Sequence, residues 1–181
     1  MSENPGQLRS DEQETSQEAV AGGVSSWVEA LDGFDGNQTT KLDERGRLKM
    51  PLEFRAFIEK KYGKGFHEFH ITSMDGSVAE LYPMPEWVKR KSRMLAMSQS
   101  SEALDRFEIH DNLYGAHLDM DPQGRLQIPP ELREDAELFG EVKVYGSGKY
   151  LRITSVKKLR DLVKAKPILP QHKDEMKAQG C

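Results

Sequence analysis

Two short segments, residues 47–50 and 125–128, alternate between hydrophobic and polar positions. A period of two is typical of a strand with one buried face, because successive side chains of a strand point to opposite sides. The residues that we expect to face the core are Leu48, Met50, Leu126 and Ile128. The residues that we expect to face outward are Arg47, Lys49, Arg125 and Gln127.

A turn signal precedes each of these strands. Residues 39–42 and 116–120 have the pattern of a strand, and each is followed by the sequence Asp-x-x-Gly. Aspartate can accept hydrogen bonds from backbone amides two residues on, and glycine adopts positive φ without strain. The predicted turn-structuring residues are Asp43, Gly46, Asp121 and Gly124. Each turn is expected to project outward together with the arginine that follows it.

A helical pattern follows each outward-facing strand. Pro51 in the first case, and Pro129 with Pro130 in the second, suit the first turn of a helix. Apolar residues then recur at helical spacing as far as Gly63 and Gly140, which are typical of helix ends. The apolar residues are Phe54, Phe57, Ile58 and Tyr62 in the first helix and Leu132, Ala136 and Leu138 in the second.

The same elements occur twice because the sequence contains an internal repeat. Residues 42–55 align without gaps to residues 120–133 and are identical at seven of 14 positions, where average residue usage would give about one. Each copy continues into a predicted hairpin, with strands over 66–71 and 78–82 in the first copy and over 142–145 and 150–153 in the second. The repeat predicts one structural unit used twice: strand, turn, strand, helix and hairpin.

Charge is distributed unevenly along the chain. The 181 residues carry a formal charge of -4, yet residues 1–36 alone hold eight acids and one base, so the rest of the chain is mildly basic. Few large apolar side chains occur in the acidic segment, which is therefore predicted to be disordered. Residues 155–181 hold seven bases and three acids, and they indicate a short helix followed by a basic tail.

Several classes of protein are disfavoured by the sequence. Cys181 has no partner cysteine, so neither an internal disulfide nor a cysteine-based zinc site is expected. His67 and His70, three residues apart in a strand, would point to opposite faces, and we predict no metal and no cofactor. No catalytic constellation can be assigned to a pocket, so we do not expect an enzyme. Without a membrane span or a leader-like start, we expect a cytoplasmic protein.

The doubled Asp-x-x-Gly-Arg motif, with an apolar strand, proline and a helix after each copy, resembles the MraZ family of the AbrB/SpoVT-like superfamily. Further matches are Phe-x-Gly at 34–36, Glu-Leu-Tyr-Pro at 80–83, Pro-Glu-Trp at 85–87 and Gly146. The resemblance covers about residues 33–156. It implies an α+β fold of two tandem AbrB/SpoVT-like swapped-hairpin β-barrel half-domains with short helices, fused as an internal repeat.

The resemblance and the patterns together divide the chain into five parts. These are a disordered acidic extension (1–32), a first AbrB-like repeat (33–84), a helical linker (85–113), a second AbrB-like repeat (114–156) and a helical, basic C-terminal tail (157–181). Two helices are predicted in the linker, where the apolar positions are Trp87, Met94, Leu95, Leu104 and Phe107. A basic cluster in the linker is expected to be a solvated face, with phosphate contacts as its only predicted binding role; it consists of Lys89, Arg90, Lys91 and Arg93.

The function that the resemblance implies is sequence-specific binding of DNA. MraZ proteins are bacterial transcriptional regulators of the division and cell-wall gene cluster, so we expect a nucleoid-associated repressor that binds G-rich direct promoter repeats as a ring-like homo-oligomer. By position, Arg47 and Arg125 are the main DNA contacts, and Arg45 matches a basic family position. In the second copy, Gln123 replaces Arg45 and Gln127 replaces Lys49.

Other interpretations of these residues remain open. Guanidinium groups can bind phosphate or guanine, but Arg47 could instead pair with Asp43 simply to hold the turn. Lys41 and Lys49 are candidates for phosphate contacts only. The repeated Arg55 and Arg133 lie in the predicted helices, where we favour a structural or subunit-contact role. The predicted nucleic-acid-binding residues are Arg47, Arg125, Arg45, Lys41, Lys49 and Gln123.

Two other functions compete with this prediction. The chain could be a protein-interaction module, either an AbrB-like antitoxin or an assembly scaffold, whose acidic extension binds a basic partner. Alternatively, it could be a regulator whose acidic extension competes with DNA for the basic face, in an interaction that salt would weaken.

Overall fold

The structure is a computed structural model, in which residues 32–97 and 101–180 are described. The predicted acidic extension lies outside the described residues except for Asp32, as does Cys181. As predicted, the fold is of the α+β type, with antiparallel strands and six helices in the described ranges. The strands are β1 (Asn37–Lys41), β2 (Arg47–Lys49), β3 (Glu68–Thr72), β4 (Ala79–Pro83), β5 (Ala116–Asp119), β6 (Arg125–Gln127), β7 (Glu141–Ser147) and β8 (Tyr150–Ser155). The helices are α1 (Leu52–Tyr62), α2 (Met84–Leu95), α3 (Glu102–Tyr114), α4 (Pro130–Asp135), α5 (Val156–Ala165) and α6 (Pro170–Ala178).

The strands of the two repeats interleave in one sheet. Six strands pair antiparallel in the order β1-β7-β8-β4-β3-β5, so β7 and β8 of the second repeat lie between β1 and β4 of the first. The remaining strands, β2 and β6, pair with each other and form a two-stranded ribbon. Each repeat therefore contributes one strand to this ribbon, which we call the β2–β6 ribbon.

The hydrophobic alternation predicts the buried face of the β2–β6 ribbon correctly. Leu48, Leu126 and Ile128 are fully buried and Met50 is 2% exposed. They join one core with Phe54 and Ile58 of α1 and with the inward residues of the large sheet. Burying an aliphatic side chain of this size contributes about 1.5–3 kcal/mol, so the core fixes the orientation of the ribbon and of its outward side chains.

The two helices that follow the ribbon strands differ in length. Helix α1 runs to Tyr62 and ends at Gly63, as predicted. Helix α4 ends at Asp135, so the predicted helical stripe as far as Gly140 is wrong. Glu137 adopts a φ of +52°, and the amide of Leu138 donates to the carbonyl of Arg133. A tight turn therefore buries Leu138 where the sequence pattern suggests a longer helix.

The linker forms helices α2 and α3, which cover a second small core. Trp87, Phe107 and Tyr82 are buried together, whereas Leu95, an expected apolar position of the linker, is 59% exposed. His70 lies in this region, stacked on Trp87, and its Nε2 is 3.0 Å from Oδ1 of Asp111. Among the described residues, no group of three or more His, Cys, Asp or Glu is placed to hold a metal ion.

The C-terminal part contains two helices rather than one helix and a tail. After α5, the chain begins α6 at Pro170, in the first turn of the helix, where proline is tolerated because its missing N–H has no intrahelical acceptor. Helix α5 contacts β7 and β8. None of the helices in residues 32–97 and 101–180 has the length and apolar character needed to span a membrane.

Candidate nucleic-acid interface

The β2–β6 ribbon presents polar side chains from both repeats on its outer face. Its antiparallel register pairs Arg47 with Gln127, Leu48 with Leu126 and Lys49 with Arg125. Because the central leucines are buried, the four residues at the ends of the ribbon point away from the core. The two arginines therefore lie at opposite ends of a ribbon only three residues long.

The first turn, residues 43–47, is closed by Asp43. Its carbonyl accepts a hydrogen bond from the amide of Gly46 at 2.8 Å, and its Oδ1 accepts from the amides of Arg45 and Arg47 at 3.0 and 2.9 Å. Its Oδ2 accepts from Nε of Arg47 at 2.7 Å. Gly46 has a φ of +77°, which residues with a Cβ rarely adopt. One aspartate thus closes the turn and also orients the arginine.

The second turn, residues 121–125, repeats this geometry. Asp121 accepts from the amide of Gly124 at 2.8 Å through its carbonyl, and from the amide and Nε of Arg125 at 2.9 and 2.7 Å through its carboxylate. Gly124 also has a φ of +77°. The difference lies in Gln123, whose Oε1 accepts from Nη2 of Arg125 at 3.2 Å. Arg45, at the equivalent position, adds a charge to the first turn.

Both turn aspartates are held in the ionised form. The backbone amide and then the side chain of Arg47 lower the pKa of Asp43 below its ordinary value. For Asp121, desolvation acts to raise the pKa, but the hydrogen bonds from the side chain and backbone of Arg125 outweigh it and lower the pKa. A guanidinium has five N–H donors, so pairing with one aspartate leaves donors on each arginine for a further acceptor.

These pKa shifts predict how stability depends on pH. Folding lowers the pKa of both aspartates, so the ionised carboxylates stabilise the folded state fully at any pH above the pKa of about 3.9 that aspartate has in the unfolded chain. This stabilisation is lost as the pH falls through the lower pKa values of the folded state. As the pH is lowered from about 5 to about 2, we expect the midpoint temperature of thermal unfolding to decrease. The decrease should be smaller in the variant Asp43→Asn/Asp121→Asn. Calorimetry of both proteins across this range measures the difference, and equal slopes would contradict it.

An open groove beside the ribbon brings most of the predicted site residues together. It is lined by Thr40, Lys41, Leu42, Asp43, Arg47, Lys49, Gln123 and Arg125. Four cations from the two repeats thus share the groove with one carboxylate. Arg45 does not line it and is exposed on the first turn. Sequence reasoning missed Thr40, whose hydroxyl donates to the carbonyl of Lys49 at 2.8 Å and ties β1 to the ribbon.

Each turn is also joined to the ribbon strand of the other repeat. The carbonyl of Gly46 accepts from the amide of Ile128 at 3.1 Å, and the carbonyl of Gly124 accepts from the amide of Met50 at 2.8 Å. In addition, Nε2 of Gln127 donates to the carbonyl of Arg45 at 2.8 Å. The duplicated sequence predicts two similar turns, but it contains no signal that each turn is held by the strand of the other repeat.

Comparison with known proteins gives relatives that share one name, Transcriptional regulator MraZ. The protein of Acidobacterium capsulatum is 35% identical over 147 residues, which cover 81% of this chain and 99% of the relative. The protein of Koribacter versatilis has the same identity and coverage. The protein of Bordetella pertussis is 27% identical over 121 residues, or 66% of this chain and 80% of the relative. No protein-family model matches the chain.

Proposed function

The chain belongs to the MraZ family of transcriptional regulators, and we propose that it binds promoter DNA sequence-specifically through its two arginine-bearing turns. One observation carries this proposal: two arginines, one from each repeat and each held by the aspartate of its own turn, share a groove with two lysines and a single carboxylate. The residues proposed to bind DNA are Arg47, Arg125, Arg45, Lys41, Lys49 and Gln123.

The chemistry of the groove fits guanine and phosphate. A guanidinium can donate two hydrogen bonds to O6 and N7 of guanine in the major groove, which is wide enough for a two-stranded ribbon. We assign this role to Arg47 and Arg125, because an aspartate holds the direction of each side chain before DNA arrives. Lys41, Lys49 and Arg45 are assigned to phosphates, which fix the register of the protein without reading sequence.

Within this proposal the two repeats are swapped-hairpin half-domains of the AbrB/SpoVT-like type. The interleaved strand order and the shared β2–β6 ribbon support this assignment, since each repeat completes the structure of the other. The proposed boundaries are residues 33–84 and 114–156 for the half-domains, 85–113 for the linker and 157–181 for the C-terminal tail.

We further propose that the protein acts as a ring-like homo-oligomer that represses the division and cell-wall gene cluster at the nucleoid. Exposed apolar side chains on the linker helices support self-association, since Val88 and Leu95 of α2 and Ile109 and Leu113 of α3 are all more than half exposed. Several linked groove sites that meet successive repeats gain effective concentration, so a weak single contact becomes selective binding.

The test is a titration of the full chain against duplexes with no, one and several copies of the direct repeat upstream of its gene. We expect the affinity to rise at least about tenfold from one copy to several, with a scrambled duplex bound weakly at every length. The affinity should also fall with salt, because phosphate contacts release counterions. Equal weak binding to all duplexes would contradict the proposal and favour the interaction module, whose acidic extension binds a basic protein.

A further inference from the structure

A helix arginine of the second repeat packs directly against the turn of the first. If residue 46 carried a Cβ atom, that atom would clash with Nη1 of Arg133 and lie only 2.8 Å from Cζ of the same side chain. The same Nη1 donates to the carbonyl of Arg45 at 3.5 Å. The flat guanidinium thus occupies the space that the absence of a side chain at position 46 leaves open, and it contacts the residue just before the glycine.

The reverse contact exists as well. A Cβ atom built on Gly124 would lie 3.0 Å from Nη1 of Arg55, a residue of the first repeat. Arg55 is also held by its own helix, because its Nε donates to Oε1 of Glu59 at 3.0 Å. The two contacts are therefore related by the sequence repeat but are unequal, since Arg133 approaches its glycine more closely and bonds to the turn itself.

We propose that Arg133 and Arg55 are positioning residues that each set the DNA-binding turn of the other repeat. Arg133 would keep the first turn in the shape that aims Arg47 at DNA, and Arg55 would do the same for the second turn and Arg125. This inference rests on the proposed function of the two turns. It follows from shape, because a planar guanidinium fits against a residue that lacks a Cβ, whereas the flexible ammonium of lysine does not reproduce that plane.

The arrangement has a consequence for binding. Because each turn is braced by the helix of the other repeat, neither repeat alone supplies a complete DNA-binding turn. The brace also places the positive charge of Arg133 at the carbonyl of Arg45, within the first turn. Because the contact at Gly46 is the closer of the two, we expect the first turn to depend more on its brace than the second turn does.

The test is a set of double-mutant comparisons on the full chain, with the promoter duplex at low salt so that weakened binding remains measurable. Arg133→Ala should weaken binding about 5- to 10-fold in the wild type and in the Arg125→Ala background, but less than about 2-fold in the Arg47→Ala background. Arg55→Ala should weaken binding by a smaller factor. Its effect should persist in the Arg47→Ala background and largely disappear in the Arg125→Ala background. Arg133→Lys keeps the charge, and if shape matters it should behave like the alanine variant.

Two results would overturn the proposal. One is an equal loss from Arg133→Ala in both arginine backgrounds, which is what a general loss of stability would produce. The other is a full rescue by Arg133→Lys, which would assign the effect to charge alone. Thermal unfolding of each variant separates folding from binding, and Arg133→Gln serves as the milder variant if the alanine protein unfolds.

A readout without DNA keeps this proposal separate from the proposed function. Hydrogen exchange should become faster at the amides of residues 45–47 in Arg133→Ala while the amides of residues 123–125 are unchanged, and Arg55→Ala should give the reverse. If Arg47→Ala and Arg125→Ala bind DNA like the wild type, the proposed function fails, yet this exchange pattern still decides whether the cross-repeat brace exists.

Discussion

Replacing Arg47 and Arg125 together by alanine is expected to abolish the preference for the promoter duplex over a scrambled one. Each bidentate contact to a guanine contributes about 1–3 kcal/mol of discrimination, so losing both should reduce specificity by on the order of a hundredfold or more. Both side chains lie on the outer face of the ribbon, about one quarter to one third exposed. Folding should be largely retained, because neither arginine belongs to the hydrophobic core and the backbone hydrogen bonds that close each turn remain.

Two control variants sharpen this prediction. Lys49→Ala removes a cation from the same face of the ribbon, and it should weaken binding to all duplexes equally. The slope of log affinity against log salt concentration should become shallower by about one, which corresponds to the loss of one phosphate contact. Arg106→Ala removes an exposed arginine of α3 that pairs with Glu102, four residues away, and should change nothing. Undiminished selective binding by a correctly folded Arg47→Ala/Arg125→Ala protein would show that these turns do not read DNA.

The local geometry of the turns could be predicted because it depends on neighbouring residues. Asp43 and Gly46 determine the first turn through contacts that span at most four residues, and the repeat gives the same result at Asp121 and Gly124. The alternation at Leu48 and Leu126 likewise fixes which face is buried. Each of these features follows from hydrogen bonds or side-chain periods that are visible within a short stretch of sequence.

The arrangement of the two repeats could not be predicted in this way. The sequence contains no local signal that β7 and β8 insert between β1 and β4, or that Arg133 packs against Gly46, 87 residues earlier. These contacts are selected by the packing of the whole core, which involves pairs that are distant in sequence. The early end of α4 has the same origin, since burial of Leu138 replaces the helix that its spacing suggests.

The two turns also show why a repeat does not imply equal roles. Their backbones match, but Gln123 adds no charge and instead accepts a hydrogen bond from Arg125, whereas Arg45 leaves an additional cation on the first turn. The more basic first turn is also the one held more closely by the opposite helix. We therefore expect the first turn to contribute more to phosphate binding, with the second contributing mainly through Arg125.

Gly46→Ala is expected to destabilise the first turn and to weaken DNA binding. Alanine at a φ of +77° costs about 1–2 kcal/mol of folding free energy. The new methyl group must also displace the guanidinium of Arg133, which is the end of a flexible side chain, so the lost contact with the turn adds only about 0.5–1.5 kcal/mol. Because the displaced Arg133 no longer braces the turn, Arg47 should lose part of its orientation, so DNA binding should weaken along with stability.

Gly65→Ala is the matched control for this substitution. Gly65 has a φ of +79°, but within the described part of the chain no side-chain or non-neighbouring backbone atom lies within 4 Å of the position that a Cβ would take. Its replacement should therefore cost only the free energy of placing alanine at positive φ, about 1–2 kcal/mol. Urea unfolding of both variants measures the difference, which reports the close approach of Arg133. Combining Gly46→Ala with Arg133→Ala should recover part of the lost stability, because the obstructing side chain is gone. Strictly additive losses would instead mean that the glycine is required only for its backbone conformation.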